Sequence, residues 1–283
     1  MKLKISYEES KHWRHIQNKK VILTIYLVLR ILVVATMVAQ FFNGNYENVM
    51  LCVLTLVLFM LPSFCERRLH IDLPDTLEVI VLLFIFSAEI LGEIQEFYIL
   101  IPGWDTVLHT LNGFLCAAIG FSIVNILNED KHTSMHLSPF YMAVTAFCFS
   151  MTIGVLWEFF EWGMDNLAGL DMQKDTVLVG FNTVMLDPQG RNVAYHVRNV
   201  TDTILVFADG STMSMGLGGY LDIGLMDTMK DLLVNLIGAV VFSFFGYFYV
   251  KSKGKGKVAR NFIPNVLEHP VKDAENPEKT EEK

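Results

Sequence analysis

Four groups of acids, one of them with a histidine, stand in stretches of this chain apolar enough to lie in or near hydrocarbon. They are Glu89 and Glu93; Asp105 and His109; Glu158, Glu161 and Asp165; and Asp227 and Asp231. Ionised groups are expensive at that depth, so they face a bundle interior or an aqueous cavity, share protons, or pair with a cation. Their spacing is coherent. Three groups are i,i+4 pairs and the fourth runs i,i+3,i+7, which puts the members of each on one helix face. Asn112 and Asn235 extend two of those faces. An oxygen-rich set with one imidazole suits Mg²⁺, Mn²⁺ or Ca²⁺, and Zn²⁺ through the imidazole. The expected metal ligands are Asp105, His109, Asp227 and Asp231, with Glu158 and Glu161 as catalytic proton acceptors. Two other readings stay open: carboxylates that share protons without metal, and helix-end caps, for which Asp105 and Asp227 are best placed because each opens a helix. Lys230 is the one lysine or arginine among the four groups.

The elements that must position these residues are membrane helices. The 283 residues are 52% hydrophobic, with mean hydropathy +0.40, and the apolar residues come in runs of about twenty. This pattern predicts an all-α integral membrane protein with six transmembrane helices: Val21 to Phe42, Val49 to Phe64, Leu77 to about Ile94, Asp105 to Leu127, Ser138 to about Gly163, and Asp227 to Val250. The expected organisation is a basic cytoplasmic head over 1–20, spans one to five within 21–165, an insert over 166–226, the sixth span over 227–250 and a disordered cytoplasmic tail over 251–283. Lysines and arginines flank the spans on one side: Lys19 and Lys20, Arg67 and Arg68, Lys131, then Lys251 to Arg260. The positive-inside rule then puts both termini in the cytoplasm of a bacterial plasma membrane, the insert outside, and all four acid groups in the outer half of the bilayer. No cleavable leader is expected, and the first span acts as an uncleaved anchor.

Within the insert, strand-like runs at Thr176 to Leu186, Val193 to Val200 and Thr203 to Phe207 alternate with the turn signals Asp187-Pro188-Gln189-Gly190 and Asp209-Gly210. They predict a small antiparallel β-meander, too small to hold a core alone and therefore docked on the helix ends. Gly216 to Gly219 reads as a flexible hinge before the last span. A net charge of −8 and the lack of a basic, aromatic stripe exclude nucleic acid as partner. Cys52, Cys65, Cys116 and Cys148 all sit in or beside apolar segments, so neither a disulfide framework nor a CxxC site is expected. Arg30 and Glu89 enter their spans to similar depths and are expected to form a buried pair. His132, His136 and His196 are expected to be solvated, and Trp104, Trp157 and Trp162 to mark the outer interface.

The segments WDTVLHTLNGFLCAAIGF, GVLWEFFEWGMD and DIGLMDTMKDLLVNLIGA resemble the YjdF-type family of uncharacterised bacterial membrane proteins, and more broadly a VanZ-like pattern. The resemblance covers Glu89 to Gly246 and marks Asp105, His109, Gly113, Glu158, Glu161, Asp227, Asp231, Asn235 and Gly238. The strand-rich insert departs from the VanZ-like pattern. The resemblance implies a cell-envelope setting and no defined reaction. Spans three plus four and five plus six also echo each other, each an outgoing helix ending in acids followed by an incoming helix opening on Asp, as in half-repeats around a shared site. Three functions fit: a metal-dependent enzyme on a lipid or lipid-linked envelope substrate, a cation- or proton-coupled transporter, and a non-catalytic envelope or stress-response protein. The lipid bilayer is the expected partner, and a homodimer is the arrangement that transport by so few spans would require.

Overall fold

The computed structural model describes residues 7–69, 71–129, 136–254, 259, 261–263 and 265–266. Among the described residues eight α-helices carry the fold: α1 Tyr7–Phe42, α2 Tyr46–Leu58, α3 Leu61–Leu69, α4 Asp75–Phe86, α5 Phe97–Leu100, α6 Trp104–Glu129, α7 Pro139–Gly163 and α8 Leu225–Lys251. Two π-helical segments, Ser87–Ile94 and Met164–Ala168, continue α4 and α7. Eight short strands complete it: β1 Ile71–Asp72, β2 Thr176–Leu178, β3 Gly180–Thr183, β4 Tyr195–Arg198, β5 Ile204–Val206, β6 Thr212–Ser214, β7 Tyr220–Asp222 and β8 Asn265–Val266.

Five helices among the described residues are long and apolar enough to cross a membrane: Lys20–Phe42, Tyr46–Phe64, Trp104–Asn128, Pro139–Ala168 and Leu225–Lys251. They carry large apolar side chains outward, such as Leu23, Leu27 and Ile31 on α1 and Leu233 and Ile237 on α8, as a protein dissolved in lipid does. They match five of the six expected spans. The remaining one, Leu77 to about Ile94, is helical throughout but changes from α to π at Ser87, and it carries three acids, Glu78, Glu89 and Glu93, spread along its length. Pro62 lies in the first turn of α3, where a missing N–H costs nothing, so α2 ends before it.

The chain divides into two compact units. The first comprises residues 1–102, 121–142 and 245–283. Its core is apolar: α1, α2 and α4 close around Val33, Cys52, Phe59 and Leu82, all fully buried, with Ile90 and Ile94 of the π-helical segment at the edge. Two expectations fail in this unit. No ion pair joins Arg30 to Glu89 among the described residues; the Arg30 guanidinium lies 4.3 Å from the Tyr26 ring centre, one turn back on α1. The tail after Lys251 is not wholly disordered. Asn265–Val266 pairs antiparallel with Ile71–Asp72, and Ala259 and Ile263 are buried. The apolar side chains of this short stretch are what it buries. Residues 1–6 of the basic head, Lys131, His132, and residues 255–258, 260, 264 and 267–283 of the tail lie outside the described residues.

The second unit comprises residues 103–120 and 143–244. Here α6, α7 and α8 meet through small residues. A Cβ on Gly113 would come within 2.0 Å of the Asn235 carbonyl oxygen, and one on Gly238 within 2.0 Å of the Thr110 carbonyl oxygen. Backbones so close exclude every side chain but hydrogen. Ser150 Oγ of α7 donates to the Gly113 carbonyl at 2.7 Å, and Gly154 leaves room for the Asn235 amide. The segment between α7 and α8 forms three antiparallel pairs, β2 with β7, β3 with β4 and β5 with β6. Two hairpins are thus bracketed by an outer pair, rather than strung as a simple meander; β6 and β7 were not legible as runs. Asp187 and Asp209 organise the hairpin turns by accepting backbone N–H groups. Gly216 to Gly219, expected as a hinge into the last span, lies before β7 instead. It turns between β6 and β7, with Gly216 and Leu217 donating N–H to Asp202.

Candidate metal centre

The first turns of α6 and α8 and the end of α7 bring their charged side chains together. On α6, His109 Nε2 lies 3.2 Å from Asp105 Oδ1, so the i,i+4 pair closes on itself. His109 Nδ1 is 3.9 Å from Glu158 Oε1 of α7. Across to α8, Lys230 Nζ donates to Asp105 Oδ2 at 3.0 Å and to Asp227 Oδ1 at 3.3 Å, and stands 3.5 Å from Asp231 Oδ1. One ligand atom each from Asp105, His109 and Asp231 lies within 4.8 Å of the other two, the convergence a cation needs.

Burial sharpens the cluster. Asp231 is 1% exposed and Glu158 4%, and Asp231 Oδ1 and Glu158 Oε2 are buried without a hydrogen-bond partner. The contact of Asp231 Oδ1 with Lys230 is therefore one of charge without hydrogen-bond geometry. A buried carboxylate oxygen left so is costly unless a cation or proton completes it. Below the acids, Asn112 Nδ2 donates to Asn235 Oδ1 at 3.2 Å, fixing α6 against α8 where Gly113 and Gly238 let them touch. Both asparagines were legible from their spacing.

The expected site residues separate into two roles. Asp105, His109 and Asp231 converge. Asp227 does not join them: its Oδ2 accepts the Lys174 backbone N–H at 2.8 Å while its Oδ1 takes Lys230. Glu161 Oε1 accepts from Trp157 Nε1 at 2.8 Å. Asp165 falls in the π-helical segment, off the α-helical face assumed for it, and binds the Met172 and Gln173 backbone N–H groups. Gln173 also donates to Thr228 Oγ1 and packs against Gly224. Asp165 and Asp227 therefore pin the loop 171–174 onto the start of α8, which docks the insert on the helix ends. Lys230 is the participant that sequence underrated, since a lone lysine carries no periodic signal. Glu89 and Glu93 belong to the first unit.

The two carboxylates and imidazole supplied by α6 and α8, with Glu158 of α7 beside them, fall in the motifs quoted above. The family model described as predicted membrane protein (DUF2238) matches residues 25–252. The chain belongs to this DUF2238 family. It is the YjdF-type group that those motifs resemble; the wider VanZ-like pattern gains no support from the comparisons. No curated protein and no solved structure matches the chain.

Proposed function

We propose that this DUF2238 protein holds a divalent metal ion on Asp105, His109 and Asp231, and uses it in hydrolysis or modification of a lipid or lipid-linked envelope substrate. The observation that carries the reading is the convergence of one ligand atom each from Asp105, His109 and Asp231, at a residue, Asp231, whose Oδ1 is buried and lacks a hydrogen bond. A bound divalent ion would polarise a phosphoryl or carbonyl oxygen and lower the pKa of water. Glu158, beside His109 and with one oxygen unpartnered, is the nearest proton acceptor. Glu161, held by Trp157, takes a supporting part in the same acidic wall. Lys230 balances the acids from the exposed side and Asp227 anchors the loop above them.

Topology completes the proposal. The chain crosses a bacterial plasma membrane six times, with Leu77 to about Ile94 as the third crossing, both termini cytoplasmic and the insert outside; the one-sided placement of lysine and arginine supports this. The centre then faces the outer leaflet. The ion pairs of Lys230 favour a second reading, a metal-free centre in which lysine and shared protons neutralise the acids and support cation- or proton-coupled transport. Elemental analysis of protein purified without chelator separates the two. The metal reading expects near-stoichiometric divalent metal in the wild type and its loss in His109→Ala/Asp231→Asn. No metal in either sample, with proton or cation flux in liposomes, would establish the second reading instead.

A further inference from the structure

An open crease of about 380 Å³ runs along the flank of the α6–α8 contact, walled by Thr106, Val107, Thr110, Leu111, Phe114, Gly238 and Val241. Its walls belong to segments apolar enough to cross a membrane, so they are chemically suited to hydrocarbon. The two polar side chains of the wall are threonines, and Thr110 Oγ1 is satisfied by donating back to the Thr106 carbonyl at 2.7 Å. Gly238 keeps the floor open. Any side chain there would meet the Thr110 carbonyl, and Phe114 stacks edge-on against Phe242 at 5.1 Å between ring centres.

The crease leads toward the charged centre. Thr106 and Thr110 directly follow Asp105 and His109 on α6, while Lys230 stands eight residues before Gly238 on α8, about 12 Å along the helix. Lys230, bonded to Asp105, is 47% exposed at its side chain, so the Asp105–Lys230 bridge forms the open edge of an otherwise buried cluster. We infer that the crease takes one hydrocarbon chain of a bilayer lipid, whose head group thereby reaches the Asp105–Lys230 edge. Substrate enters sideways from the membrane rather than from water. This inference rests on the proposed lipid-directed function and names the part of the substrate the protein grips.

A phospholipid with a photoactivatable diazirine in its acyl chain tests it. The full-length protein is placed in vesicles of phosphatidylethanolamine and phosphatidylglycerol and the cross-links are mapped by peptide mass spectrometry. Cross-links should concentrate on 106–114 and 238–241, roughly tenfold over the lipid-facing side of α1, and fall about tenfold in Val241→Trp, which fills the crease from an already exposed position. Val107→Trp, also at an exposed position, should act alike, and both variants should keep the wild-type metal content. Labelling spread evenly over α1 and the crease, or unchanged in both tryptophan variants, would overturn the inference. Concentrated labelling in a wild type without metal would remove the metal-dependent function and leave the crease standing as a lipid site.

Discussion

The two units bury their helices in opposite ways. In the first, α1, α2 and α4 close on large apolar side chains, with Val33, Phe59 and Leu82 wholly buried. In the second, α6, α7 and α8 close on glycine and on polar atoms: Gly113 against the Asn235 carbonyl, Gly238 against the Thr110 carbonyl, Asn112 against Asn235, Ser150 against Gly113. Lipid tails are as apolar as leucine, so burying leucine inside a membrane gains little beyond dispersion and shape. Hydrogen bonds and backbone contact fix position better. The acids that converge sit on the seam whose backbone geometry is most constrained, as a centre needing sub-ångström placement requires.

That contrast can be broken at its strongest point first. Gly238→Leu and Gly113→Leu drive a side chain into a neighbouring carbonyl, and the helix cannot yield without losing the Asn112–Asn235 bond. Neither variant should give monodisperse folded protein by size-exclusion chromatography; recovery at wild-type yield would disprove the close contact. In the first unit, Phe59→Ala opens a cavity and should cost about 3–5 kcal/mol of unfolding free energy, read by denaturant titration in mixed micelles. Its metal content should be unchanged, because Phe59 belongs to the core of the first unit and the converging ligands to the second. A parallel loss of metal would erase the distinction between the units.

Lys230→Met sharpens the comparison without breaking the seam. Removing a cation that contacts Asp105, Asp227 and Asp231 should raise divalent-metal affinity on the order of tenfold, discounted for the exposure of the lysine. Calorimetric titration with Mn²⁺ measures it, and a fall in affinity would mean that the lysine supports the ion rather than competes with it. The smallest effect lies in the insert. The Ser214 hydroxyl, then the Thr203, Gly216 and Leu217 N–H groups, hold the Asp202 carboxyl below the usual carboxylate range. Its folded pKa is depressed, so the pinned turn is stabilised above the ordinary value of about 3.9 and loses that support as pH falls through the lower folded value. Carbon-13 NMR of the Asp202 carboxyl should give a midpoint below about 3.9, and one at or above it would contradict the pinning.

The helical periodicity that made α6 and α8 readable explains both what sequence revealed and what it hid. Asp105 with His109, and Asn112, Gly113, Asn235 and Gly238, repeat at α-helical intervals, and the structure gathers them on one seam. Asp165 and Glu89 fall in π-helical turns, where i→i+5 bonding rotates side chains off the expected face. Asp227 looked equivalent to Asp105 because each opens a helix; only the distant Lys174 N–H tells them apart. The pairing of Asn265–Val266 with Ile71–Asp72 was hidden for the same reason, since a two-residue strand has no period to detect. Membrane character was plain because twenty-residue apolar runs require no partner to be recognised.

Anomalous scattering from crystals of the wild-type protein soaked in Mn²⁺ reaches the proposed metal centre most directly. One peak should lie among the carboxylates of Asp105 and Asp231 and a His109 ring nitrogen, with Lys230 turned aside, and should vanish in Asp231→Asn. Crystals with no peak there, or with the ion instead at Asp227 and the 171–174 loop, would contradict the assignment of Asp105, His109 and Asp231 as ligands.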